Sequence, residues 1–129
     1  MKVNRTLIMT LVVGTALGAA AMQALHAQAT PPVYVVIDID EITDPAGYAA
    51  VGGRNAEAAA AVFKDSGGRY LARTDKIAAL DGNAPKRSVI IAFDSKEKVQ
   101  GWYNSAAQKE INAIRTKTTK SRAFVVEGM

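Results

Sequence analysis

The stretch Pro32 to Ile42, PVYVVIDIDEI, is the densest run of strand formers in the chain. Side chains alternate along a strand, so Val33, Val35, Ile37 and Ile39 share one face, and Tyr34, Val36, Asp38 and Asp40 share the other. The first face is wholly apolar and must be covered. The second runs from apolar to acidic, a pattern suited to the wall of a partly enclosed cavity. A fold for this chain has to bury one face of this strand and find a use for the other.

Ahead of it, Lys2 and Arg5 precede an apolar or small run from Leu7 to Met22, and Ala27-Gln28-Ala29 supplies an A-x-A site. This succession predicts a secretory signal peptide over residues 1–29 and an exported domain, periplasmic or secreted, over residues 30–129. The alternative is an uncleaved N-terminal anchor, because the apolar run approaches bilayer-spanning length. The leader holds two of the sixteen basic residues, so the remainder is nearly balanced against twelve acidic ones. No Lys/Arg run is interleaved with aromatics, which argues against a nucleic-acid partner. With the leader removed, no membrane partner is expected either. A domain of about 100 residues supports one modest core and often gains from dimerising.

The chain has no Cys, and its single His, His26, lies in the leader. Residues 30–129 therefore hold no imidazole and no thiol. That excludes Ser-His-Asp and Cys-His nucleophile systems, zinc sites built on His or Cys and disulfides. Acid–base chemistry falls to Asp, Glu, Lys or Tyr. No metal and no cofactor is expected; a haem iron would have only Tyr or Met as a side-chain ligand.

Thr43-Asp44-Pro45 begins a helix, with a side-chain acceptor for a first-turn amide and Pro at the first helical position. Tyr48, Val51, Asn55, Ala59, Val62 and Phe63 recur at helical spacing, across a Gly52-Gly53 pair read as a kink inside one helix. Ser66-Gly67-Gly68 ends it. Arg69 to Leu80 reads as a second strand, bent near Thr74-Asp75-Lys76, and Asp81 to Pro85 as a turn. Lys86 to Phe93 is a third strand, with Val89, Ile91 and Phe93 opposite in face to Ile90 and Ala92. Asp94 and Glu97 have capping-box spacing ahead of a second helix. Its stripe is Val99, Trp102, Tyr103, Ile111 and Ile114; Lys109, Glu110, Arg115 and Lys117 are expected mostly in solvent. Ser121 to Glu127 is the last strand.

The order is β-α-β-β-α-β. It predicts an α+β fold: a four-stranded antiparallel sheet with two helices on one face. The other face would carry Tyr34, Val36, Ile90, Ala92 and either Val125 or Phe124. An apolar face of that size calls for a cover, and a second copy packed sheet to sheet supplies one. A homodimer follows, with room for a cavity beside the sheet.

Taken together, YVVIDIDEITDPAGYAA (Tyr34–Ala50), GGRYLAR (Gly67–Arg73), LDG (Leu80–Gly82), RSVIIAFDS (Arg87–Ser95), WYNS (Trp102–Ser105), Ile114-Arg115 and VVEG (Val125–Gly128) resemble the domain of unknown function family 1330. The pieces span nearly all of residues 30–129 in order. The resemblance implies a ferredoxin-like subunit of the dimeric α+β barrel type and carries no established activity. The chain departs from the family pattern at Arg73-Thr74-Asp75, where Arg-Gly-Gly is usual, and at Ala106-Ala107-Gln108, where Pro-Glu-Tyr is common.

Asp38 is the one candidate for catalysis: a carboxylate desolvated in mid-strand could serve as a base. Its structural alternative is an ion pair with Arg73, Arg87 or Arg122 on a neighbouring strand. Tyr34, Asp38, Arg73, Trp102, Tyr103, Ser105 and Arg115 are the candidate ligand-binding residues. Trp102-Tyr103 has core and rim packing as its alternative, Asn104-Ser105 a helix break, and Arg115 a solvated place near a helix C-terminus, though its fork suits a carboxylate. The reading is an exported homodimer binding a small organic molecule beside its sheet; the alternative is a non-catalytic structural or interaction dimer with a vestigial pocket.

Overall fold

The computed structural model describes residues 30–53 and 56–129. The leader lies outside them, as do Arg54 and Asn55. Four strands, β1 (Val33–Ile42), β2 (Arg69–Thr74), β3 (Arg87–Phe93) and β4 (Thr119–Glu127), form one sheet in the order β2-β3-β1-β4. Each crossover skips one strand, so every neighbouring pair is antiparallel. This is the ferredoxin-like arrangement expected from the sequence.

Register decides which residues meet. Val33 lies opposite Phe93, Val35 opposite Ile91 and Ile37 opposite Val89, so the aliphatic alternations of β1 and β3 fall on one face. There Val33, Val35 and Ile37 pack with Ile91, Phe93, Val99 and Trp102 into the core. Each such side chain, fully buried, contributes about 1.5–3 kcal/mol. The other face carries Tyr34, Val36, Ile90 and Ala92. From β4 it takes Phe124, opposite Val36, and Val126, opposite Tyr34. Val125 instead pairs with Val35 and so belongs to the helix side. Phe124 and Val126 are each 43% exposed.

The helices depart from the two expected. Four segments occur: α1 (Pro45–Ala49), α2 (Ala56–Asp65), α3 (Lys96–Tyr103) and α4 (Ala106–Thr118), with a 3-10 turn at Ala50–Gly52. Asp44 caps α1 by accepting from the Gly47 amide at 3.0 Å, and Pro45 follows it. The glycine pair breaks the helix rather than kinking it: the Gly53 amide bonds back to Ala50, and Ala56 bonds to Gly53. At the end of α2, Gly67 takes φ +74° while the Gly68 and Gly67 amides bond the Phe63 and Lys64 carbonyls. That is the Schellman pattern. Ser95, not Asp94, caps α3, accepting from the Lys98 amide. Asp94 pairs instead with Arg69 and Lys98.

Strand β2 ends at Thr74, six residues short of the expected Leu80. The Thr74 hydroxyl accepts from the Lys76 amide and turns the chain out of the sheet. Leu80 is fully exposed.

Candidate functional site

A cavity of about 260 Å³ lies between the sheet and the helices. Ile37 and Ile39 of β1, Val89 and Arg87 of β3, and Tyr70 and Arg73 of β2 form its floor. One wall comes from α1, the 3-10 turn and α2: Tyr48, Val51, Gly52, Ala56, Ala59, Ala60 and Phe63. The other comes from α3 and α4: Trp102, Gln108, Ile111, Asn112 and Arg115. The cavity thus occupies the aliphatic side of β1, opposite the face that the sequence pattern suggested.

That placement divides the candidate residues. Arg73, Trp102 and Arg115 come together in the lining. Tyr103 and Ser105 support it. The Tyr103 hydroxyl accepts from Arg115 Nη2 at 3.4 Å. Ser105 caps α4 by accepting from the Gln108 amide, and its own hydroxyl donates to the Trp102 carbonyl at 2.7 Å. It therefore fixes the corner between α3 and α4. Tyr34 and Asp38 lie on the far side of the sheet and take no part in this cavity.

Arg115 is buried, 7% exposed, where the sequence placed it in solvent. Gln108, Asn112, Arg115 and Thr118 recur at spacings of four and three along α4, so they share its inward stripe. Arg115 Nη1 donates to Ser121 Oγ at 2.8 Å. Its Nε is shielded and has no partner among the described residues. The last turn of a helix favours a cation, but among the described residues no carboxylate is in an ion pair with this one. Gln108 Nε2 donates to Asn112 Oδ1 at 3.0 Å, which holds the polar stripe together.

The chain's other arginines sharpen the point. Arg69 pairs with Asp94, and Arg122 with Asp38 and Asp40. Among the described residues, Arg73, Arg87 and Arg115 are in no ion pair, and all three line the cavity. The Arg73 guanidinium stands 5.4 Å from the Tyr70 ring centroid, a cation–π distance. Trp102 is 3% exposed and packs against Phe93 and Phe63 with centroids at 5.2 and 5.9 Å. It is both core and cavity wall, and its Nε1 lacks a partner.

Asp38 keeps its structural alternative. Its Oδ2 lies 3.2 Å from Arg122 Nη2, and its Oδ1 accepts from Ser88 Oγ at 2.7 Å. Arg122 bridges on to Asp40 at 2.7 Å. Both oxygens of Asp38 are engaged, so the arrangement is an ion-pair cluster rather than a poised base. Among the described residues no group of three metal-ligating side chains forms, and no helix is long and apolar enough to cross a membrane.

Sequence reasoning missed Tyr48, Arg87, Gln108 and Asn112 in the lining. Arg87 had a readable signal: it shares its strand face with Val89, Ile91 and Phe93, an arginine at the end of an apolar row. The α4 stripe had another, its polar residues at helical spacing.

A sequence model of the family described as Domain of unknown function (DUF1330) matches residues 32–129. No curated protein matches the chain. Among solved structures, a protein of unknown function from Rhodopseudomonas palustris is similar at 14% identity and TM-score 0.60, over 85% of this chain and 92% of that one. SnoaB, a cofactor-independent oxygenase from Streptomyces nogalater, is similar at 13% identity and TM-score 0.51, over 77% and 94%. A dimeric protein of unknown function and ferredoxin-like fold from Bacteroides fragilis matches at 14% identity and TM-score 0.47, over 74% and 95%.

Proposed function

We propose that this chain, which belongs to the DUF1330 family, is an exported homodimer that binds a small organic molecule in the cavity between its sheet and its helices. The cavity carries the reading. Its wall is largely aromatic and aliphatic, with polar groups contributed by the sheet floor and the last helix, the usual form of a small-ligand site. Its described lining holds no carboxylate, imidazole or thiol, which leaves Tyr48 and Tyr70 as its acid–base groups. The oxygenase activity belongs to SnoaB, and at 13% identity that likeness speaks for the fold.

The dimer is supported by the open sheet face, where Tyr34, Val36, Ile90, Phe124 and Val126 form a continuous apolar patch. Export is supported by the basic, apolar and A-x-A succession before Thr30. Native mass spectrometry of the protein from its own compartment tests all three parts. The expected mass is two chains, each beginning at Thr30 or Gln28, plus a small molecule. A full-length chain in the membrane fraction would mean an anchor. A monomer across the micromolar range would remove the dimer. A protein that is always empty, and whose Trp102 fluorescence answers no small molecule, would leave a structural dimer with a vestigial pocket.

A further inference from the structure

We infer that the ligand of this cavity is an organic acid, a small molecule with one carboxylate head and an apolar, ring-sized body. The inference rests on the cavity being a ligand site and goes on to name the class of occupant. Its first support is Arg115. A guanidinium carries five N–H donors and is charged at any working pH. Here two hydrogen bonds go to neutral hydroxyls, on Ser121 and Tyr103. Among the described residues, no carboxylate is in an ion pair with this group, which is 7% exposed. Buried charges are ordinarily paired, because an unpaired one is expensive to hold away from water.

The second support is independent of Arg115. Exposed Arg73 and half-buried Arg87 come from two other elements, are in no ion pair among the described residues, and add positive charge around the same space. Among the described residues no acidic side chain lines it. The partial negative charge at the end of α4 offsets some of the cost at Arg115, but it supplies no acceptor to Arg115 Nε. A carboxylate accepts from an arginine fork in two parallel bonds. Apart from Gln108, Asn112 and two tyrosine hydroxyls the rest of the wall is aromatic or aliphatic, which suits a largely apolar body. A volume of about 260 Å³, just below the usual range for small-ligand pockets, suits a ring-sized body.

The chain's single tryptophan lies in the wall and reports on occupancy. Its fluorescence would be titrated with three matched pairs: benzoate and benzamide, phenylacetate and phenylacetamide, 3-phenylpropanoate and its amide. We expect at least one acid to bind ten or more times tighter than its amide, and that preference to vanish in Arg115→Met. Equal binding of acid and amide would overturn the ligand class while leaving the cavity as a binding site. Silence from all six probes at millimolar concentration would overturn both. A preference that survives Arg115→Met would take the carboxylate away from Arg115. The wild-type ratio needs no variant, and Arg87→Gln gives a second reading if Arg115→Met fails to fold.

Discussion

Exchanging Arg115 for Met is expected to stabilise the ligand-free protein. Met has a similar reach, no charge and a flexible chain that fits irregular gaps. The native side chain is held 7% exposed without a counter-ion, a situation that costs several kcal/mol. Against this stand three favourable contacts. The bond to Ser121 at 2.8 Å is worth about 1.5–3 kcal/mol as a bond to a charged group. The bond to Tyr103 at 3.4 Å is long and contributes little. The helix C-terminus adds about 0.3–1 kcal/mol. Neither hydroxyl is stranded by the change, since Ser121 Oγ can donate to Thr119 Oγ1 at 2.8 Å, whose own proton goes to the Arg115 carbonyl, and Tyr103 is only half-buried. The balance favours Met by roughly 1–3 kcal/mol.

Urea unfolding at one fixed protein concentration measures this, provided the slope of the transition is unchanged. The thermal midpoint should rise about 4–8 °C per kcal/mol for a domain near 100 residues. A loss of about 2 kcal/mol or more would refute the reasoning. It would mean that the fold already satisfies this guanidinium, and the cavity would lose its strongest reason to take an anion.

Ala59→Leu should fill part of the cavity, gaining up to about 2 kcal/mol at about 0.8 kcal/mol per buried methylene while abolishing probe binding; destabilisation by about 1–3 kcal/mol, the mark of overpacking, would mean the space is not there. Ile90→Glu should shift sedimentation from dimer to monomer, since a charge buried between two sheets is unpaired; an unchanged dimer would move the interface elsewhere. Asp94 has its pKa lowered by hydrogen bonds from Arg69 and then Lys98. A folded pKa below the unfolded one gives stability that is present above the unfolded pKa and lost as pH falls through the folded one. Asp94→Asn should therefore cost a little stability at neutral pH and nothing at the acid end, and a stability difference that is the same at every pH would contradict it.

The sheet was legible because strand alternation carries its own test. Val33, Val35, Ile37 and Ile39 could face only a core, and the acids at 38 and 40 then had to face the other way. What lay beyond a single element was not legible. The cavity is made of missing volume: Ala56, Ala59 and Ala60 are too small to fill the space above β1, and no periodicity records that. Arg115 was placed in solvent because only the isoleucines were counted toward the α4 stripe, whereas Gln108, Asn112 and Arg115 share the buried one. Strand β2 was drawn too long because Ile77 and Leu80 look like strand residues, while a threonine hydroxyl at position 74 had already turned the chain away.

The charge of the cavity follows from the parity of β1. Its carboxylates at 38 and 40 project to the open face, where Arg122, opposite Asp38 in register, pairs with both. On the closed face the same strand presents Ile37 and Ile39. Arg87 lies opposite Ile39, and Arg73 lies opposite Val89, itself opposite Ile37. These arginines therefore meet β1 on the side where it carries no acid. A slip of one residue would exchange the faces, bring the two aspartates to the cavity floor and neutralise the strand arginines there. The register that buries the aliphatic row thus also withholds the carboxylates from this side, and at buried Arg115 the uncompensated charge acts at higher strength than in water. An anion-seeking pocket is the result of that alternation, with Arg115 closing it from the helix side.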